Sequence, residues 1–306
     1  ANKIWNASRY VLMNLGEYPA GKSLHDYRLE LADRWILHRF NETAAEVTRQ
    51  LEKYELGEAA RIIYDFLWND FCDWYIELSK GPLYGEDAGD REKAQLVLCH
   101  VLGGTLTLLH PFMPFLTEEI WSKLPLSDTP LIVSSWPEPG EELNDPAAMA
   151  KMNLVMEAVR SIRNLRSEMK IPPQKKINVV VRSFEPESEA ALAEGADYLK
   201  RLSGVDKLVL GGKETAKPSF SLTTVLQGGE AHMLLEGLVD PAQEITRLQK
   251  ELAIIEAEVF RCEKKLSNEG FLKKAPAELV AEEKEKLDGY MKKRNRLAAY
   301  LKELDA

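Results

Sequence analysis

Cysteine is scarce. Cys72, Cys99 and Cys262 are the three in 306 residues, and no Cys-x-x-Cys occurs. That excludes a disulfide framework and a structural zinc site, and it fits a reducing compartment. His25, His38, His100, His110 and His232 show no metal-ligand spacing. No nucleophile elbow is present, and Gly211-Gly212 and Gly228-Gly229 lack the strand–loop–helix setting of a phosphate loop. Glu118 and Glu119 are adjacent at a helix start, point apart, and read as capping or solvated charge. No apolar run approaches a membrane span. No signal peptide is visible. The start Ala1-Asn2-Lys3-Ile4-Trp5 is already amphipathic and lacks Met, which suggests a piece of a longer protein. Positive charge is in deficit: 40 Lys+Arg face 49 Asp+Glu, net −9. That argues against a generic nucleic-acid binder. With catalytic constellations excluded, what remains to look for is a binding surface.

What is present is helix, and an uneven spread of charge. Residues 242–306 hold 14 Lys+Arg and 13 Asp+Glu, whereas the other 241 residues hold 26 and 36. Any nucleic-acid contact must therefore be made by local basic surfaces. The spacing predicts a first helix marked by Ile4, Val11 and Leu15 and ended by Gly16, then helices near 29–54, 57–78, 88–108, 116–124 and 145–169, with Pro172-Pro173 stopping the last. The aromatic wealth of Phe66, Trp68, Phe71, Trp74 and Tyr75 reads as bundle core. Residues 125–146, with five prolines, read as an ordered surface loop. Strand-like segments follow at 177–181, 207–210 and 219–225, with a helix over 187–202. In the last sixty-odd residues, Ile245, Leu248, Leu252, Ile255, Val259, Cys262 and Leu266 alternate three- and four-residue steps. Leu287, Tyr290, Leu297, Leu301 and Leu304 do the same, with Arg294 at the seam. The link between the two runs is too short for anything but a reversal, so they form an antiparallel hairpin, and Gly237–Pro241 provides a hinge at its base. The expected fold is mainly α: a helical bundle over 1–150, a linker helix and small α+β module over 151–240, and a coiled-coil arm over 241–306.

Three candidate surfaces emerge. At 100° per residue, Ile4, Val11 and Leu15 share one side of the first helix, and Tyr10 falls opposite with Lys3 and Asn6. An aromatic ring beside a cation and an amide is a base-stacking platform in miniature; a tyrosine lying over a neighbouring helix is the plainer reading. On the third helix Ile76 falls outside the apolar face, near Lys80. A second surface is Arg160, Arg163, Arg166 and Lys170, a stripe suited to a phosphate backbone or to charge balance against the acidic bundle. The third is the hairpin tip, with Arg261, Lys264, Lys265, Lys273 and Lys274 around Phe271, which either stacks on a base or staples the two helices.

Several stretches resemble the C-terminal third of the bacterial valyl-tRNA synthetases, a family of class I aminoacyl-tRNA synthetases. They are Asn2-Lys3-Ile4-Trp5-Asn6-Ala7-Ser8-Arg9-Tyr10, Leu31-Ala32-Asp33-Arg34-Trp35, the block Tyr64 to Tyr75, His110-Pro111-Phe112-Met113-Pro114-Phe115 with Glu118-Glu119-Ile120-Trp121, and Lys265-Leu266-Ser267-Asn268 with Phe271 and Lys274-Ala275-Pro276. They are spread over nearly the whole chain. The resemblance implies an anticodon-binding bundle, with Tyr10 and Ile76 against anticodon bases; the helical wheels put Lys3, Asn6 and Lys80 beside them. Phosphates would meet Arg160, Arg163, Arg166 and Lys170. An arm bearing Arg261, Lys264, Lys265, Phe271, Lys273, Lys274 and Arg294 would meet the body of the tRNA. The family usually has Phe where Tyr10 stands. It implies tRNA for valine as partner, no DNA and no membrane, a cytoplasmic setting and a monomeric parent enzyme. That parent uses ATP and magnesium at signatures of the His-Ile-Gly-His and Lys-Met-Ser-Lys-Ser type. Both signatures and the editing domain are absent here, so no cofactor and no catalysis are expected of this chain alone. The isoleucyl, leucyl and methionyl enzymes are the nearest rivals. From another class, the rival is an interaction scaffold with a coiled-coil arm.

Overall fold

The computed structural model describes residues 2–126, 128–238, 240–268, 270 and 275–304. The chain divides into two compact units, Ala1–Val155 and Met156–Ala306, and the boundary falls inside one helix.

The first unit is helical. It comprises α1 (Asn2–Leu15), α2 (Leu31–Glu52), α3 (Leu56–Asp65), a π-helical segment (Phe66–Tyr75), α4 (Ile76–Tyr84), α5 (Ala88–Leu109), α6 (Pro114–Trp121) and the start of α7 (Pro146–Glu168). Its core holds Trp35, Ile36, Phe40, Ile63, Phe66, Phe71 and Tyr75 with the Val97–Leu108 stretch of α5. The α2 and α5 helices pack closely because position 104 is glycine: a Cβ there would stand 2.1 Å from the Phe40 ring. Between α2 and the π segment, the Tyr75 hydroxyl donates to Asp33 (2.8 Å), and Arg39 donates to Asp70 (3.0 and 3.2 Å). Burial pushes the Asp33 carboxyl above its ordinary range. The proline-rich loop is ordered as expected. Asn41 donates to Asn144 and Gly140, and Trp136 donates to Thr48 across 2.8 Å. Glu118 lies inside α6 rather than at a helix start, and its carboxylate accepts from the amides of Leu131 and Ile132.

The third helix departs from a 100° wheel. From Phe66 to Tyr75 its hydrogen bonds run to the fifth residue along, so each turn takes in about one more residue than an α-turn. The phase slips, and Ile76 comes inward, 8% exposed. Trp68, read as core, comes outward instead, 39% exposed.

The second unit holds the rest of α7, a four-stranded sheet with two helices, and a long helix pair. The strands are β1 (Ile177–Ser183), β2 (Val205–Gly211), β3 (Ser221–Leu226) and β4 (Gly229–Leu234), in the order β2-β1-β4-β3. The β1–β2 pair is parallel and the others antiparallel. A parallel pair needs a crossover, supplied by α8 (Pro186–Glu194) and α9 (Ala196–Ser203). Gly195 divides what the spacing presents as one helix. The strand that pattern missed is β4. Its His232 is fully buried, bonded through its ring to the Thr223 hydroxyl (3.0 Å) and facing Glu230, which also pairs with Arg182.

The arm is α10 (Pro241–Leu266) and α11 (Ala277–Leu304). Asp240 caps α10 by accepting from Gln243, with Pro241 in the first turn. At 1.5 Å per residue α10 is about 39 Å long. Leu248, Ile255, Val259, Cys262, Leu297 and Tyr300 are buried, while Ile245, Leu252, Leu266, Leu287, Tyr290, Arg294 and Leu301 are half-buried, so the described seam follows the heptad reading. A carboxylate also enters it: Glu283 is buried and takes Lys265 at 2.8 Å. The base of the arm is tied by more than the expected hinge. Glu168 of α7 receives Arg296 and, at 2.7 Å, the Tyr300 hydroxyl, and Lys175 donates to the Leu238 carbonyl.

Candidate nucleic-acid interface

On the first unit, Tyr10 is half-buried on α1, with the Lys80 ammonium 6.0 Å from its ring centre. Burial, with the Tyr84 hydroxyl beside it, raises the Tyr10 phenol well above the ordinary tyrosine range. Tyr84, 65% exposed, stands in the same group and was not singled out from the sequence. Asn6 is exposed. The structure therefore gathers Tyr10, Lys80 and Tyr84 across α1 and α4. Two further expected members stand apart from this group. Ile76 is in the core for the reason given above. Lys3 is ion-paired to Asp73 at 2.7 Å and lies 3.6 Å over the Trp68 ring, which stacks on Tyr64. Lys80 is itself paired with Glu77 at 2.6 Å.

On the second unit the arginine stripe separates into two kinds of residue. Arg160 and Arg163 are exposed, and Arg163 donates through Nε to the Leu202 carbonyl at 2.8 Å. Arg166 is not a surface cation. It is 8% exposed, and its guanidinium donates to the carbonyls of Ser203 (2.6 Å), Pro172 (3.0 Å), Pro173 (3.1 Å) and Lys175 (2.9 Å). Burial, then repulsion from Arg163, lowers its affinity for its proton. It thus fastens the end of α7 to the Pro-Pro turn and to the C-terminus of α9, where cations suit the helix dipole. Its neighbour Gly204 has φ +69°, and a Cβ there would meet the Arg166 guanidinium at 2.0 Å. The i, i+3, i+6 spacing could not tell an arginine aimed at solvent from one aimed at carbonyls thirty-seven residues on. Lys170 is exposed, with φ +53°.

On the arm, Arg261 and Lys264 are exposed, Arg261 paired with Glu258 one turn away. Lys265 is drawn into the seam pair with Glu283, and Arg294 donates to Asn295. Phe271, Lys273 and Lys274 lie outside the described residues. An aromatic that the sequence reading passed over, Phe260, is 67% exposed beside Arg261.

Comparison with known proteins bears on the two regions that carry these surfaces. Residues 33–181 match the anticodon-binding domain of tRNA ligase, and residues 240–305 match the valyl tRNA synthetase tRNA binding arm. The chain belongs to the valyl-tRNA synthetase family. It is 44% identical over 304 residues to the valine–tRNA ligase of Oceanobacillus iheyensis, 44% over 308 residues to that of Geobacillus stearothermophilus, and 43% over 304 residues to that of Bacillus subtilis. Each alignment covers 99% of this chain and 34% of the relative, so the chain spans about a third of their length. The first match takes in α2 through β1, including the basic end of α7, and the second takes in α10 and α11. Among the described residues, no helix is long and apolar enough to cross a membrane.

Proposed function

We propose that this chain binds the tRNA for valine on behalf of a valine–tRNA ligase, a monomeric class I enzyme of the cytoplasm that acts on no DNA. The observation that carries the reading is the presence in one chain of an anticodon-binding domain and a tRNA binding arm. We assign three functional segments: residues 1–150 for the anticodon loop, 151–240 as a linker module, and 241–306 for the tRNA body. In the first, Tyr10 and Tyr84 offer ring faces for stacking, with Asn6 and Lys80 at their edges. In the second and third, exposed Arg160, Arg163, Lys170, Arg261 and Lys264 meet phosphates, which set register, while base contacts select the tRNA. Valine activation lies outside the residues in hand. Neither ATP-site signature of the family occurs in this sequence, so no step through ATP or magnesium is derived.

The test is binding of the chain to valine tRNA and to a non-cognate tRNA across a salt series, with Tyr10→Ala alongside. Preference for the valine tRNA that survives rising salt is expected. Tyr10→Ala should weaken an isolated anticodon stem-loop by about 1–3 kcal/mol, the worth of one stacked base. Equal, salt-labile binding to both tRNAs would leave only a basic surface. No binding at any salt would favour a scaffold role.

A further inference from the structure

The end of α7, the Pro172-Pro173 turn and the C-terminus of α9 enclose a groove of about 680 Å³. Five of its lining residues are cations, Arg163, Arg166, Lys170, Lys176 and Arg201, and none is acidic. In a chain of net charge −9 such a concentration is unusual. The cavity at the base of the arm, which shares Ser167 and Lys170 with the groove, makes the contrast. It too is lined with Lys and Arg, but Glu168 and Glu251 line it with them, pairing with Arg296 and Lys293. In the groove, Arg163 and Arg166 donate to carbonyls, which accept hydrogen bonds without cancelling charge. Arg166 is buried, so its charge is poorly screened by water and acts on whatever enters.

We propose that this groove grips the phosphodiester backbone of bound RNA, with Lys170, Lys176 and Arg201 as phosphate contacts and Arg166 as the positioning residue behind them. The proposal rests on the tRNA-binding reading above and adds Lys176 and Arg201 to it. Three features favour a polymer over a single small anion. The cavity is larger than one phosphate. Of its four exposed cations, Arg163 lies on α7, Lys170 just past its end, Lys176 beyond the Pro172-Pro173 turn and Arg201 on α9, so they are spread over the lining rather than clustered on one helical turn. Pro172, Pro173 and Leu202 give it an apolar wall against which a ribose can lie. Arg166 holds that wall and the α9 terminus in place through its four carbonyl bonds, so the spacing of the cations is set before RNA arrives.

The test is a salt series of valine tRNA binding with the Lys176→Gln, Arg201→Gln double variant of the whole chain. Each lost phosphate contact lowers the slope of log affinity on log salt by roughly 0.7–0.9, so the double variant should lose about 1.4–1.8 of that slope. The charge-preserving Lys176→Arg, Arg201→Lys variant should retain it, which separates charge from folding. An unchanged slope in the Gln variant, with the parent chain binding tRNA normally, would overturn the groove and leave the tRNA-binding reading standing. Titration with inorganic pyrophosphate distinguishes the sources of phosphate. Pyrophosphate binding lost in the Gln variant, together with an unchanged tRNA slope, would make this a small-anion site and overturn the RNA assignment. Failure of the parent chain to bind tRNA at any salt would overturn the tRNA reading and this ligand with it.

Discussion

Replacing Arg166 with methionine should loosen the second unit while leaving the first intact. The side chain is buried and its guanidinium serves four carbonyls. Methionine fills much of the space but donates nothing. Pro172, Pro173 and Lys175 are exposed, so water can take over their carbonyls. Ser203 is buried, and its carbonyl would be orphaned at about 1–3 kcal/mol. Losing a cation from the C-terminus of α9 adds up to about 1 kcal/mol. Relief of the buried charge offsets part of this, but the carbonyls still point at the vacated site. The net expectation is about 1–3 kcal/mol, which for a unit of about 150 residues is roughly 2–12 °C in Tm. The assay is built into the sequence. All six tryptophans lie at or before Trp136, inside the first unit, so their emission follows that unit while far-UV circular dichroism follows both. The tryptophan transition should stay in place and a dichroism transition should fall. If neither moves and the salt slope of tRNA binding drops by about 0.9 instead, Arg166 touches phosphate directly and the structural role assigned to it is wrong.

Burial lifts the thiols of Cys72 and Cys99, to about 11 and about 12, and the Cys262 thiol is raised as well. Iodoacetamide at pH 7.5 should label Cys72 and Cys99 at least about 100-fold more slowly in the native than in the denatured chain, because the thiolate is the nucleophile; fast labelling of either in the native chain would contradict this. In the arm, hydrogen bonds from Lys265 and Lys293 hold the Glu283 and Glu251 carboxyls below their ordinary range. The unfolded chain then binds these protons more readily, so the stabilisation is full above the unfolded carboxylate value, about 4.3, and is lost as pH falls below it. Thermal scans at 222 nm should show Glu283→Gln lowering Tm at pH 7 and converging with the parent chain near pH 3; an equal gap at both would show that its charge is irrelevant.

The seam of the arm could be read residue by residue because a heptad is a local pattern, and nothing distant had to be known to place Leu248 or Leu297 inward. The positions that escaped depend on partners far along the chain. Arg166 finds its acceptors in the Pro-Pro turn and at Ser203. The β4 strand carries Glu230 and His232, polar residues whose partners, Arg182 and Thr223, stand on neighbouring strands. Of the residues gathered across α1 and α4, helical-wheel arithmetic marks Tyr10 and Lys80 as off the apolar faces, and the family resemblance marks Tyr10 as well. Tyr84 was missed, and Ile76 was misplaced by applying an α-helical period through a stretch that does not keep it. Trp68 was missed for the same reason.

That stretch from Phe66 to Tyr75 acts as an angular offset written into the middle of a helix. Everything after it is turned about the axis relative to a straight α-helix of the same sequence, and α4 delivers Lys80 and Tyr84 beside Tyr10 only with that turn included. The geometry of the surface is therefore set partly by residue count. A homologue shorter by one residue between Phe66 and Tyr75 could keep Tyr10, Lys80 and Tyr84 by identity and still fail to bring them together, so an alignment column alone does not transfer this surface from one member of the family to another.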